Sequence, residues 1–176
     1  MKKLAKPRET GKKLKLSRHE KHADAEGRLY VRFKLAEETY GVPISSVQEI
    51  IKPKQITEIP HTPDFLCGVV NLRGKIVPVI DLRMRLGLPT GEITKFTRIV
   101  IVRFKEQVIG MLVDSVIEVR PIAEEKIEAA SPLIAGPVDS DFFEGVANLD
   151  ERIVIILDIG KVLKKPTLSL PVANMT

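Results

Sequence analysis

Six side chains in this 176-residue chain are the natural carriers of any chemistry: His19, His22, His61, Cys67, Asp81 and Asp158. A nucleophilic enzyme needs Ser, Cys or Thr beside an activating base. Two of the three histidines stand in a basic N-terminal stretch, and the third, His61, follows a proline. His19 and His22 have the spacing of one helical turn, but two ligands fall short of the four of a structural zinc site. Cys67 is the sole cysteine and sits in Phe65-Leu66-Cys67-Gly68. Among apolar neighbours it reads as a small buried hydrophobe rather than a reactive thiol. A single cysteine also excludes an internal disulfide and a cysteine-based zinc site. Asp81 and Asp158 each precede a short helical stretch, which favours a capping role over acid catalysis. No glycine pattern of a phosphate or dinucleotide loop is present. The expectation is a chain with no catalytic residues, no cofactor, no metal and no small-molecule substrate.

The elements around these residues are duplicated. Residues 68–82 read GVVNLRGKIVPVIDL and residues 145–159 read GVANLDERIVIILDI. Seven of the fifteen aligned positions are identical, Asn71/Asn148 and Asp81/Asp158 among them. Upstream, YGVPISSVQEI at 40–50 aligns with IGMLVDSVIEV at 109–119, pairing Gly41 with Gly110 and Glu49 with Glu118. Further back, LYVRFK at 29–34 matches IVIVRFK at 99–105. The order of blocks is the same in both halves, which is the mark of an internal repeat. A doubled module has a seam, and seams are favoured binding places.

Charge separates a tail from a body. Residues 1–28 hold ten lysines and arginines against four acids, a net of +6 in a chain of net +5, so the remainder nets −1. The tail has few apolar residues and no sustained period, so it reads as a disordered basic extension over residues 1–27, or as a docking arm for an acidic surface. A nucleic-acid reader combines basic residues with exposed aromatics. This chain has no Trp, two Tyr and six Phe, and only the tail supports that reading. No apolar run approaches the ~20 residues of a membrane span, and no secretory signal pattern follows the basic start. The lone cysteine fits a reducing, cytoplasmic setting.

From residue 28 the texture is that of short strands. Leu29, Val31, Phe33 and Leu35 alternate with Tyr30, Arg32 and Lys34, the period-two signal. Ala36–Glu38 reads as a turn, Thr39–Ile44 as the returning strand, and 45–50 as a turn or a very short helix. Ile56–Ile59 is extended, and Thr62-Pro63 carries a helix-start signature. Gly68–Leu72 and Lys75–Leu82 flank Arg73-Gly74 as a hairpin. Pro78 implies an exposed edge or a bulge in the second strand. Asp81–Leu88 and Asp158–Lys165 read as short helices. In the second half, 98–104, 108–113, 116–120, 145–149 and 152–157 repeat the strands, and 121–141 is a longer connection. Each half offers about five strands in ~65 residues, a spacing that suggests small barrels. Runs such as IVPVI and IVIIL are apolar on both faces, one to fill a barrel and one for the seam.

The chain resembles the CheW family, the scaffold proteins of bacterial chemosensory arrays. YGVPISSVQEI and GVVNLRGKIVPVIDLR carry the resemblance most strongly, and it covers roughly residues 28–165. It implies a mainly β fold of two tandem SH3-like five-stranded barrels with approximate two-fold symmetry. The expected division is a first barrel at about 28–92, a second at about 95–165 and a frayed end at 166–176. The resemblance also implies a stand-alone, cytoplasmic adaptor recruited to receptor arrays. Its partners would be the cytoplasmic hairpin tip of methyl-accepting chemoreceptors and the regulatory domain of the CheA histidine kinase. The alternatives are a scaffold in a non-chemotaxis chemosensory pathway, a nucleic-acid-binding barrel protein and a small-molecule-binding module.

The repeat itself nominates a surface. Glu49 and Arg73 align with Glu118 and Asp150. If 49 and 73 meet, one barrel has an attractive pair where the other has two acids, which favours a role in recognition, with an incidental surface ion pair worth ~0–1 kcal/mol as the alternative. The expected partner-binding residues are Val47, Gln48, Glu49, Ile50, Asn71, Arg73, Gly74 and Lys75, with Asn71 serving the turn. The apolar seam is a further candidate, as a groove for an amphipathic helix.

Overall fold

The computed structural model describes residues 27–131, 133 and 138–163. The expectations for the basic tail beyond Gly27 and for the end 166–176 lie outside the described residues. Eleven strands and two short helices are found among those described. β1 (Arg28–Leu35) and β2 (Glu38–Pro43) form the first hairpin. A 3-10 turn at Ile44–Ser46 leads into β3 (Val47–Ile51). Residues 47–50 are therefore strand, not the expected turn or very short helix. The reason is visible in their alternation of half-buried and exposed positions and in their antiparallel pairing with the later strand Arg98–Phe104. The two serines at 45 and 46 account only for the 3-10 turn.

Thr62-Pro63 starts no helix. The Thr62 hydroxyl donates to the Ile59 carbonyl at 3.0 Å instead of capping, and Leu66 N–H closes a turn onto the Pro63 carbonyl at 3.0 Å. β4 (Leu66–Leu72) then begins at once and pairs with β5 (Lys75–Asp81) across the tip Arg73-Gly74. α1 is Leu82–Arg85. The second repeat supplies β6 (Arg98–Phe104), β7 (Gln107–Val113), β8 (Ser115–Ile122), β9 (Ile127–Glu128), β10 (Phe143–Leu149), β11 (Arg152–Leu157) and α2 (Ile159–Leu163). Both expected caps are made. The Asp81 carboxylate accepts from Met84 N–H at 3.3 Å, and Asp158 from Lys161 N–H at 3.1 Å.

The strands assemble into two sheets, ordered β8-β1-β2-β11-β10-β9 and β3-β6-β7-β5-β4. This is the mainly β, two-barrel architecture. The division into consecutive barrels at 28–92 and 95–165 is not the one the sheets make, because each sheet draws strands from both repeats. β3 follows β2 after three residues and β8 follows β7 after one, yet neither pair is hydrogen-bonded. The chain runs on from one sheet into the other. Replacing β6, β7, β3, β5 and β4 by their repeat counterparts β1, β2, β8, β11 and β10 turns the second order into the first. The parallel pairs β11–β2 and β5–β7 are equivalent under this exchange, as are the Thr57–Val69 bridge and β9 on β10. β5 lies inside its sheet, yet at Pro78 it is paired on one side only, the locally free edge expected for a proline. Pro78 faces Val69, and the ladder to β7 starts only at Val79, beyond the proline.

Three apolar clusters follow from strands buried on both faces. Tyr30, Ile122, Ala147, Leu149, Val154 and Ile156 fill one barrel, and Val70, Val77, Val79, Ile99 and Ile101 fill the other. The largest cluster joins the two sheets and contains Phe33, Tyr40, Val100, Val102, Met111, Ile155 and Leu157. Alternation along β6 sends Ile99 and Ile101 into a barrel and Val100 and Val102 into the seam. β11 does the same with Val154 and Ile156 against Ile155 and Leu157.

Candidate partner-binding surface

At the tip of the β4–β5 hairpin, Arg73 and Gly74 both have left-handed backbone, with φ of 54° and 83°. Two consecutive positive φ values give the primed turn that matches strand twist. Asn71 serves that turn as expected: its side-chain oxygen accepts from Gly74 N–H at 2.9 Å. Its carbonyl accepts from the Lys54 ammonium at 2.9 Å. Arg73 is thereby held out in solvent, with 73% of its side chain exposed. It meets Glu49 of β3 through two parallel hydrogen bonds, Nη1 to Oε2 and Nη2 to Oε1. The guanidinium hydrogen bonds hold the Glu49 carboxyl below its ordinary range, and the carboxylate raises Arg73 in return.

β3 and β4 are the two outer strands of their sheet. The Glu49–Arg73 pair therefore ties the tip of the edge hairpin to the opposite edge and closes the barrel. The second barrel is closed at the same place. The tip Asp150-Glu151 has φ of 53° and 64°, and Asp150 binds Arg120 of β8 at 2.6 Å. Arg120 also lies 3.7 Å from Glu118, which pairs with the buried Arg32 of β1. The reading of the second copy as two opposed acids is thus corrected. Arg120 occupies the repeat position of Ile51 and supplies the missing cation. Both copies have the closing pair, with its polarity reversed. Absence from one copy cannot be used to separate recognition from closure.

The eight expected residues do not share one face. Val47 and Glu49 are half-buried, whereas Gln48, Ile50, Asn71, Arg73, Gly74 and Lys75 are exposed. Ile76 was missed. It faces Asn71 across the hairpin and is 63% exposed, and its counterpart Ile153 is 51% exposed. The signal was present in the sequence, since alternation along Lys75–Ile80 puts Ile76 on the same side as the polar Asn71 rather than inside. Cys67 is partly buried, and desolvation pushes its thiol up to about 11, so the thiolate is scarce at neutral pH. Among the described residues no group of three or more His, Cys, Asp or Glu is placed to hold a metal, and no helix is long and apolar enough to cross a membrane.

The sequence model of the CheW-like domain matches residues 29–167. This chain belongs to the CheW-like domain family. Among its relatives, the chemotaxis protein CheW of Klebsiella aerogenes is 38% identical over 144 residues, covering 82% of this chain and 86% of that one. The chemotaxis protein CheW of Bacillus subtilis is 34% identical over 139 residues, 79% of this chain and 88% of that one. In structure, the chain is similar to the crystal structure of the scaffolding protein TtCheW from Thermoanaerobacter tengcongensis. The TM-score is 0.73 with 42% identity, over 80% of this chain and 90% of that one. The CheW-like assignment favours an adaptor over the nucleic-acid-binding alternative, and the two-sheet body is the part that the match covers.

Proposed function

We propose that this chain is a non-enzymatic chemotaxis adaptor that couples methyl-accepting chemoreceptors to the CheA histidine kinase. The observation that carries this reading is the CheW-like match across the whole two-barrel body. The receptor hairpin tip and the kinase regulatory domain are the partners, and the β3 edge with the β4–β5 tip is the surface offered to them. That surface suits recognition because its geometry is set in advance. The primed turn and the two-bond Glu49–Arg73 pair fix the tip before a partner arrives, which lowers the ordering cost of association. Exposed Gln48, Ile50 and Ile76 add a mixed polar and apolar rim. The output depends on the adaptor contacting two signalling states of its partners unequally.

Closure and recognition are separated by exchanging the charges. R73E alone sets two acids against each other. The double variant E49R/R73E restores an ion pair of the polarity found in the second barrel. It should fold as the parent does, yet bind receptor-hairpin and kinase regulatory fragments roughly tenfold or more weakly, as expected when a central charged contact is reversed. Calorimetric titration of both fragments, with a urea curve for each variant, reads the two effects apart. Normal binding of both fragments by the exchanged variant would remove this tip from the interface.

A further inference from the structure

Arg85 is a buried cation that the adaptor surface does not use. It is 7% exposed, at the end of α1, and is found in no ion pair among the described residues. Its guanidinium carbon lies 5.1 Å from the ring centre of Phe65 and 4.6 Å from that of Phe142. Its Nε–H donates to the Val162 carbonyl in α2 at 2.9 Å. The repeat register gives these contacts their meaning. With Gly68 on Gly145 and Asp81 on Asp158, Phe65 falls on Phe142 and Arg85 falls on Val162. Arg85 therefore lies between two equivalent phenylalanines, one from each repeat, and bonds to the backbone of its own counterpart. That is a position on the pseudo-two-fold axis.

Stability does not explain such a residue. Taking a charge out of water is costly, and buried ionic groups are often matched or bettered by well-packed apolar side chains of similar volume. The seam around it is already apolar, and apolar burial is non-directional. A guanidinium is the opposite: a rigid plane with fixed donors that prefers the faces of aromatic rings. We propose that Arg85 is the positioning residue that fixes the angle between the two barrels. The apolar seam supplies cohesion, and the Phe65–Arg85–Phe142 stack with the Val162 bond selects one orientation from the several that cohesion permits. On the adaptor reading above, this angle is what a partner spanning both barrels meets.

The test is R85M, which keeps length and volume and removes the plane and the charge. Spin labels at Lys75→Cys and Arg152→Cys, equivalent exposed hairpin positions, report the inter-barrel distance in a Cys67→Ala background. R85M is expected to melt no lower than the parent and to give a distance distribution at least twice as broad or clearly displaced. Binding of the receptor-hairpin fragment to unlabelled R85M should weaken several-fold. An unchanged distribution overturns the proposal whatever binding does. A broadened distribution with unchanged binding leaves the positioning role standing and counts against a partner that spans both barrels. Should R85M not fold, Phe65→Leu removes one of the two ring faces while leaving the arginine, and an unchanged distribution in that folded variant overturns the proposal equally.

Discussion

Gly68→Ala is expected to damage this fold far more than one methyl group suggests. Gly68 has φ of 144°, a conformation that side chains rarely adopt, and a β-carbon there would lie 2.2 Å from the Thr57 carbonyl oxygen and 2.8 Å from its carbon. Both atoms are backbone, so no rotamer change relieves the overlap. Thr57 and Val69 exchange two hydrogen bonds of 2.9 Å, the bridge that holds segment 52–60 against the edge strand β4. Making room for the methyl group means giving up both. Two backbone bonds at roughly 0.5–1.5 kcal/mol each, with about 1–3 kcal/mol for an unfavourable backbone region, place the loss at about 2–6 kcal/mol. With a urea slope of ~1–3 kcal/mol/M for a small protein, the midpoint should fall by roughly 1 M or more. Gly74→Ala is the control. Its φ of 83° is also left-handed, but nothing lies within 4 Å of the added carbon, so only the left-handed backbone penalty of about 1–2 kcal/mol is incurred. Urea unfolding followed by circular dichroism measures both, and amide exchange at Thr57 and Val69 locates the damage. A loss below about 1 kcal/mol in Gly68→Ala, or an equal loss in the control, refutes the steric argument.

Two further outcomes follow from charge and burial. Because the Arg73 hydrogen bonds depress the Glu49 carboxyl, the support it lends is complete above the carboxyl's ordinary range and is lost as pH falls through the lowered value. Carboxyl-resolved NMR titration should show Glu49 titrating low in the parent and rising in Arg73→Ala, while Asp150, held down by Arg120, stays where it was. Cys67, with its thiol pushed up to about 11 by desolvation, should react with a disulfide reagent at pH 8 many-fold more slowly in the native protein than in urea. Equal rates would show that the segment around Gly68 opens freely.

How far the sequence could be read depended on the range of the interaction involved. The β1–β2 and β4–β5 hairpins, the turn role of Asn71 and the caps at Asp81 and Asp158 are local, and all were legible in residue types a few positions apart. The helix signature at Thr62-Pro63 was equally local and misled, because Leu66 is drawn into β4 and leaves no length for a helix. Val47–Ile51 was obscured by the two serines before it, and its strand character comes from pairing with β6. At the candidate surface, the repeat points to Glu49 and Arg73, whereas Arg120 aligns with the apolar Ile51, so the first copy carries no signal for the cation that closes the second.

The sequence by itself determined that this chain is a duplicated, mainly β module whose strands are apolar on both faces, because periodicity and self-similarity are written in neighbouring residues. Only the tertiary structure decided which copy each strand joins. Equivalent strands in a repeat carry nearly the same side chains, so β3 could serve either barrel by pattern alone. The choice is made by the direct run of chain from β2 to β3 and from β7 to β8, and by ladders between residues far apart in sequence. The same exchange brings Phe65, Phe142, Arg85 and Val162 to one axis. A meeting of four residues from two repeats exists only once the sheets have formed, since no local signal specifies contacts across the seam.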